Sequence, residues 1–187
     1  MNYYGAKELA ASYRTVRGNT LKIAEEVPED KYGYRPAEGT RTVGELLTHI
    51  AFGGKFAEQV VMAEKRTSME GFDFMKYMAA RQAEAAQPRN KAQIIALLKE
   101  EGEKFAQALE SLSDDFLGVA IVMPPGGQPP SRTRFDILLG VKEHEMHHRG
   151  QLMLIERMLG ITPHLTREQQ ARMAAMQAAR ETAASQK

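Results

Sequence analysis

Three of the five histidines in this 187-residue chain lie close together, at His144, His147 and His148. On a helix, His144 and His148 would differ by about 40° in direction, one turn apart, whereas His147 would point about 60° away from His144. The pair shares its face with apolar residues, namely Ile137, Val141, Leu152, Ile155 and Leu159. Buried imidazoles without partners would each cost about 1–3 kcal/mol, and a shared cation would satisfy both rings.

A third imidazole, His49, lies on the apolar stripe of another segment, with Leu46, Ile50 and Phe56. Core-facing residues of two packed helices meet across about 8–10 Å between the helix axes. Three nitrogen ligands from two helices would leave coordination positions open, as in catalytic zinc sites. We therefore predict a metal site at His49, His144 and His148, while hydrogen-bonded core histidines stay the alternative on this pattern.

The run HEMHH at 144–148 also fits the H-E-x-x-H pattern of zinc metalloproteases, with Glu145 as the general base. The extended form of that pattern would require glycine at Gln151 and histidine at Leu154. Neither is present, and no upstream strand pattern offers an edge for a peptide substrate. A zinc-dependent hydrolase that uses this segment is therefore the third choice among the functions considered.

Apolar residues recur at three- and four-residue steps, without the alternation typical of strands. Residues 66–90 show no clear pattern, although FDFM at 72–75 could begin a short helix. The proline- and glycine-rich run 124–130 indicates a loop. The fold class predicted is all-α, a four-helix bundle (1–165) with long connections and an additional C-terminal helical segment or polar tail (166–187). The four helices are expected from Tyr3 to about Val27, from Thr42 through Val60, from Lys91 to Leu112 and from Thr133 to Leu159.

The composition narrows the function classes. Lys plus Arg number 25 and Asp plus Glu 24, so there is no basic footprint for nucleic acid. The absence of cysteine excludes disulfides, cysteine-ligated zinc and a cysteine nucleophile, and a reducing cytoplasm is the expected compartment. Because neither a signal sequence nor an apolar run of about 18 residues is seen, no membrane association is expected.

The sequence around the histidines resembles the DinB/YfiT-like metal-binding four-helix bundles. The resemblance is carried by LLTHI at 46–50, HEMHHRGQL at 144–152, GITP at 160–163 and YRP at 34–36. It implies a divalent ion, most often zinc or nickel, held by His49, His144 and His148 with water in the remaining positions. Some relatives are S-transferases or isomerases that use bacillithiol, mycothiol or glutathione, and members are often dimers. A low-molecular-weight thiol cosubstrate and a homodimer are therefore expected from the resemblance.

Two functions stay open at this point, and so does the question of whether the protein is an enzyme. The first is a metal-dependent S-transferase that joins a low-molecular-weight thiol to a small electrophilic substrate. The second is a noncatalytic metal- or ligand-binding bundle whose ion supports the fold. Nitrogen and oxygen ligands alone are compatible with zinc, nickel, cobalt, manganese and iron.

Several residues near the histidines are candidates for supporting the ion or contacting substrate. Glu45 could accept the second N–H of His49, although its first interpretation is a helix cap with Thr42. Arg149 could anchor a substrate carboxylate or form a surface salt bridge. The remaining candidates of this kind are Glu145, His147 and Gln151. Four glycines could permit close helix approach or leave room for a ligand, namely Gly53, Gly54, Gly140 and Gly150.

Overall fold

The structure, a computed structural model, describes residues 4–185, so the expected helix start at Tyr3 lies outside the described residues. Its elements, in chain order, are α1 (Ala6–Glu26), a 3-10 turn (Glu29–Lys31), α2 (Val43–Ala51), α3 (Lys55–Ala57) with a following π-helical turn (Glu58–Ala63), α4 (Phe74–Ala85), α5 (Lys91–Glu110), α6 (Asp114–Gly118), β1 (Ala120–Val122), β2 (Ser131–Thr133), α7 (Arg134–Met158) and α8 (His164–Ser185). The helical fold class and the additional C-terminal helix are confirmed. None of the described helices combines the length and apolarity needed to cross a membrane.

The bundle consists of α1, α2, α5 and α7. Both α1 and α2 pack against α5 and against α7. It follows that α1 and α2 occupy opposite corners of the bundle although they are consecutive long segments of the chain. The helix that carries His49 is therefore a direct neighbour of the helix that carries His144 and His148.

The core is divided into two apolar clusters. One contains Leu9, Tyr13, Phe105, Leu138 and Val141 among others. The other contains Ile23, Leu47, Leu98, Leu152 and Ile155 among others. Along α1, α2 and α7, polar residues interrupt the apolar stripe between the two clusters. We call these residues, Arg17, His49, His144, Glu145 and His148, the polar layer.

The predicted helix starts are confirmed where a cap signal precedes an apolar stripe. Thr42 accepts a hydrogen bond from the backbone N–H of Glu45, whose carboxylate in turn accepts from the backbone N–H of Thr42. Thr133 accepts from the N–H of Asp136 at the start of α7. Such bonds satisfy backbone donors that the first turn of a helix leaves free.

The predicted second helix is interrupted, and its expected continuation through Val60 is wrong. The helix α2 ends at Ala51, and a turn at Phe52–Gly54 separates it from α3. A Cβ at Gly54 would lie 3.0 Å from the ring of Phe105 on α5. Adjacent glycines allow a bend where neighbouring helices come this close. Tertiary contact therefore overrides the continuous helical pattern.

The strands β1 and β2 were not expected from the sequence pattern, whereas a short helix was suggested at 72–75 without a defined end. A short antiparallel pair, β1 and β2, flanks the proline-rich loop, with Ile121 opposite Arg132. Three residues per strand are too few to show a reliable alternation. The helix α4 lies in the stretch that showed no clear pattern, and Asp73 caps it by accepting from the N–H of Lys76. The C-terminal helix begins at His164, two residues before the expected Thr166.

Candidate metal centre

The structure brings His49, His144 and His148 together in one cluster, which we call the histidine triad. Their Nε2 atoms lie 2.9 Å apart for His49 and His144, and 3.1 Å for each of the other two pairs. His148 is buried and the other two rings are half-buried. Three nitrogens so spaced can all lie about 2.0–2.1 Å from a single point, the distance usual for zinc–imidazole bonds. The triad could therefore hold a metal ion.

A hydrogen bond with Gln151 favours the tautomer of His148 that can bind a metal. Its Nδ1 lies 2.8 Å from Oε1 of Gln151, and Nε2 of Gln151 lies 3.2 Å from Nε2 of His147. With the amide oriented in this way, Nδ1 of His148 donates, and Nε2 of the neutral ring presents its lone pair to the triad. A partner on the second ring nitrogen is typical of metal-binding histidines. The donor set thus fits a divalent cation.

Burial keeps the rings of the histidine triad neutral, which is the form that binds metals. It is the main cause that lowers the pKa of His49 to about 3 and that of His144 to about 4. The pKa of His148 is also lowered, again chiefly by burial. The positive charge of Arg41 contributes to the lowering at all three rings.

A glycine makes room for the second ring of the triad. A Cβ placed on Gly53, in the turn after α2, would lie 3.1 Å from Nδ1 of His144 and 3.2 Å from the carbonyl oxygen of Ile50. A hydrogen in place of a methyl group therefore lets α7 approach this turn closely. Of the four glycines considered, Gly53 is the one in contact with a triad ring; a Cβ at Gly150 would meet nothing within 4 Å.

Glu145 has a different position from the one expected of a general base. Its carboxylate is 2% exposed and accepts hydrogen bonds from Nε and Nη2 of Arg17, each with an oxygen at 2.9 Å. Arg17 also donates to the carbonyl oxygens of Leu98 and Ile50, and to the hydroxyl of Tyr13. Both groups are occupied by each other inside the bundle, so the metalloprotease-like role proposed for Glu145 is not supported.

The other candidate residues differ in whether they contact the histidine triad. Glu45 pairs with the backbone of Thr42 and with Arg35, so the cap interpretation is confirmed and the contact with His49 is not formed. Among the described residues, Arg149 forms neither a hydrogen bond nor an ion pair. His147 and Gln151 adjoin His148 as described. Arg17 was missed, although a charged residue one turn after Tyr13 on an apolar stripe was a visible signal.

Two cavities border the histidine triad. The larger, about 700 Å³, is lined by His148 together with Arg41, Leu46 and Ile155. The smaller, about 240 Å³, is lined by His144 together with Gly53. Two different rings of one triad are therefore accessible from two separate spaces. Arg41 was also missed; its position immediately before the capping Thr42 gave no reason to place it beside a histidine from α7.

Comparison with known proteins agrees with this architecture. The model of the DinB superfamily matches residues 12–152. The uncharacterized protein YjoA of Bacillus subtilis strain 168 is 26% identical over 159 residues, which are 84% of this chain and 92% of that protein.

Two solved structures share the fold. The crystal structure of the DinB-like protein YjoA from Bacillus subtilis superposes with a TM-score of 0.61 at 24% identity, over 83% of this chain and 93% of that one. YfiT from the same organism is described as a probable metal-dependent hydrolase with an unusual four-helix bundle topology. It superposes with a TM-score of 0.65 at 15% identity, over 87% of this chain and 91% of that one.

Proposed function

The chain belongs to the DinB superfamily, and from that premise we propose that it is a metal-dependent S-transferase that joins a low-molecular-weight thiol to a small electrophilic substrate. The observation that carries the proposal is the histidine triad with a separate cavity at each of two rings, His148 and His144. A reaction between two molecules needs two binding spaces that meet at the reacting atoms. The arrangement supports such a reaction.

In the proposed reaction, the sulfur of the thiol forms a bond to an electrophilic carbon. The bond from that carbon to its leaving group breaks, the leaving group takes the bonding electron pair, and the thiol proton passes to solvent. A divalent ion, zinc or nickel, when bound by the triad, supplies a positive charge that favours the thiolate, the nucleophilic form of the thiol. Because the chain has no cysteine, the thiol must come from a cosubstrate.

The residues around the triad orient its rings and shape the binding spaces. Gln151 holds His148 with its Nε2 lone pair directed to the triad, and Gly53 lets His144 reach the same point. Apolar side chains of the larger cavity, such as Leu46 and Ile155, exclude water from one side of the centre.

The second candidate function is metal-dependent hydrolysis, which the description of YfiT suggests. It would use the same triad, where a bound ion would lower the pKa of water, and a carboxylate base would assist the reaction. Glu145, the carboxylate in the H-E-x-x-H pattern, is engaged by Arg17 and almost inaccessible. Hydrolysis would therefore rely on the ion to activate water, and the thiol titration distinguishes it from S-transfer.

The test begins with the metal content of the purified protein. We expect one equivalent of divalent metal in the wild type, loss of that metal in His49→Ala, and retention in His147→Gln. His147 is a suitable control because it lies on α7 beside His148 but is exposed and outside the triad. Stoichiometric metal in His49→Ala would show that the ligand assignment is wrong.

The second step separates the two reactions. The protein is loaded with cobalt and titrated with 2-mercaptoethanol while the visible and near-ultraviolet spectrum is recorded. We expect a sulfur-to-cobalt charge-transfer band, and thioether formation when an activated aryl halide is added. A spectrum that does not change with thiol, together with hydrolysis of a nitrophenyl ester that depends on metal, would contradict S-transfer and support hydrolysis. If the protein shows neither thiol binding nor turnover, the result supports the noncatalytic metal-binding bundle.

A further inference from the structure

Among the described residues that line the larger cavity beside His148, Arg41 is the one with a formal charge. The other lining residues are apolar or neutral, and they include Leu46, Leu154, Ile155 and Met158. Arg41 follows a loop, residues 36–40, that forms one wall of this cavity. The guanidinium group of arginine carries a positive charge in proteins.

Among the described residues, Arg41 forms no hydrogen bond and no ion pair. Arg35, immediately before this loop, shows the contrast: it donates to Oε2 of Glu45 at 3.0 Å and does not line the cavity. The positive charge of Arg41 also acts on all three rings of the triad. An arginine with no internal partner at the wall of a cavity is available to an anion that enters the cavity.

We propose that Arg41 binds the carboxylate of a small substrate whose apolar body lies in the cavity and whose reacting end reaches the triad. Arginine recognises carboxylates through two parallel hydrogen bonds, and its planar fork gives direction as well as affinity. The apolar wall suits an aliphatic or aromatic body. The inference rests on the proposed function only for the reacting end; recognition of the anion depends on Arg41 and the cavity.

The test compares two ligands that differ in charge and hardly in shape, 4-phenylbutanoate and 4-phenylbutanamide. Their dissociation constants are measured by calorimetry on the zinc-loaded protein at constant ionic strength. Because a charge-assisted pair of hydrogen bonds to an exposed arginine is replaced by neutral contacts, we expect the acid to bind about tenfold more tightly than the amide. In Arg41→Gln this preference disappears, while the dissociation constant of the amide changes less than about twofold.

Two variants make the comparison specific. Arg35→Gln, which removes a neighbouring charge outside the cavity, is expected to keep the full preference for the acid. Arg41→Lys keeps the charge but loses the fork, and is expected to keep only part of the preference. An equal loss in Arg35→Gln and Arg41→Gln would show a general effect of charge and overturn the assignment.

The carboxylate could bind the metal in place of Arg41, and the variants distinguish these positions. In that case the preference for the acid would persist in Arg41→Gln and vanish in His49→Ala, which would overturn the inference. Equal binding of acid and amide by the wild type would also overturn it, whatever the thiol titration shows. Conversely, if thiol leaves the cobalt spectrum unchanged while Arg41 still selects the acid, the proposed S-transfer fails and the anion site stands.

Discussion

At the scale of single residues, the contact between Gly53 and His144 sets how closely α7 approaches the turn after α2. The 3.1 Å separation between a Cβ at position 53 and Nδ1 of His144 is tighter than an ordinary van der Waals contact. A methyl group there would move the ring relative to the other two. Because all three nitrogens must lie at bonding distance from one ion, a shift of a few tenths of an ångström matters at this position.

We therefore expect Gly53→Ala to lower zinc affinity by about tenfold, within the range seen when groups that orient metal ligands are changed. Competition with a chelating dye measures the affinity. Gly150→Ala, on α7 two residues after His148 with no atom near the new Cβ, is the control and should bind zinc like the wild type. Unchanged affinity in Gly53→Ala would contradict the role given to this contact.

The residue types and spacing were enough to predict the triad. Two imidazoles one turn apart on an apolar face need a partner, and a third on another apolar stripe could supply it. Arg41 could not be found in this way, because its proximity to His148 depends on how the 36–40 loop folds over α7. The interpretation of Glu145 failed for a related reason: its short motif does not reveal that Arg17 engages it.

At the scale of elements, Arg17 joins all four bundle helices at the level of the triad. It extends from α1 to the carbonyl oxygens of Ile50 on α2 and Leu98 on α5, and to the carboxylate of Glu145 on α7. Gly102 on α5 accommodates the side chain, since a Cβ there would lie 2.8 Å from Cγ of Arg17. Removing one partner of a buried ion pair leaves the other charge without compensation.

We expect Arg17→Met to lower the free energy of unfolding by about 3–5 kcal/mol, and the double variant Arg17→Met/Glu145→Leu to recover much of that loss. Urea denaturation measures both. Arg14→Met is the control, because Arg14 forms exposed pairs with Glu103 and Glu110 and should cost about 1 kcal/mol or less. A double variant less stable than Arg17→Met would contradict the uncompensated-charge explanation.

The end of α7 contains a second buried carboxyl group, that of Glu156, in an environment different from that of Glu145. Glu156 is fully buried, and neither carboxylate oxygen has a hydrogen-bond partner among the described residues. Burial, followed by repulsion from Glu26, raises the pKa of Glu156 to about 7. Because the folded pKa exceeds the unfolded one, the neutral acid stabilises the fold at low pH, and that contribution is lost as the pH rises through about 7.

Glu156→Met should accordingly stabilise the protein relative to the wild type by about 1 kcal/mol or more at pH 8, and by clearly less at pH 5.5. Denaturation at the two pH values gives the difference. The matched control, Glu168→Gln, removes an exposed carboxylate that pairs with Lys22 and should show no such change over this range. A gain for Glu156→Met that is equal at both pH values would contradict the titration.

The sequence was most informative for elements with both a cap and a stripe, as in α5 and α7. It failed where tertiary contact decides the backbone. The bend at Gly53–Gly54 is imposed by close contacts with His144 and Phe105, which lie far away in the chain. The strands β1 and β2 are held by each other and by a bridge from Ser68 to Val122, and three residues carry too little pattern to indicate this.

At the scale of the whole molecule, the triad connects two helices whose ligands are about a hundred positions apart. An ion bound only by the folded chain stabilises it by mass action, by about 2.7 kcal/mol when free zinc is a hundredfold above the dissociation constant. We expect zinc to raise the midpoint of thermal unfolding of the wild type, and a chelator to reverse the change.

The matched variant is His49→Ala, which should show little or no zinc-dependent shift at the same concentration. Scanning calorimetry of metal-free and zinc-loaded samples provides the comparison. A shift of equal size in His49→Ala would locate the stabilising ion elsewhere in the protein and would contradict the triad as its site.

The diagonal placement of α1 and α2 has a consequence for biosynthesis. Because each packs against α5 and α7, the first half of the chain cannot complete a core by itself. A nascent polypeptide on the ribosome offers one imidazole of the three until α7 emerges. Binding of one ion by all three rings would therefore require that α7 has already been synthesised.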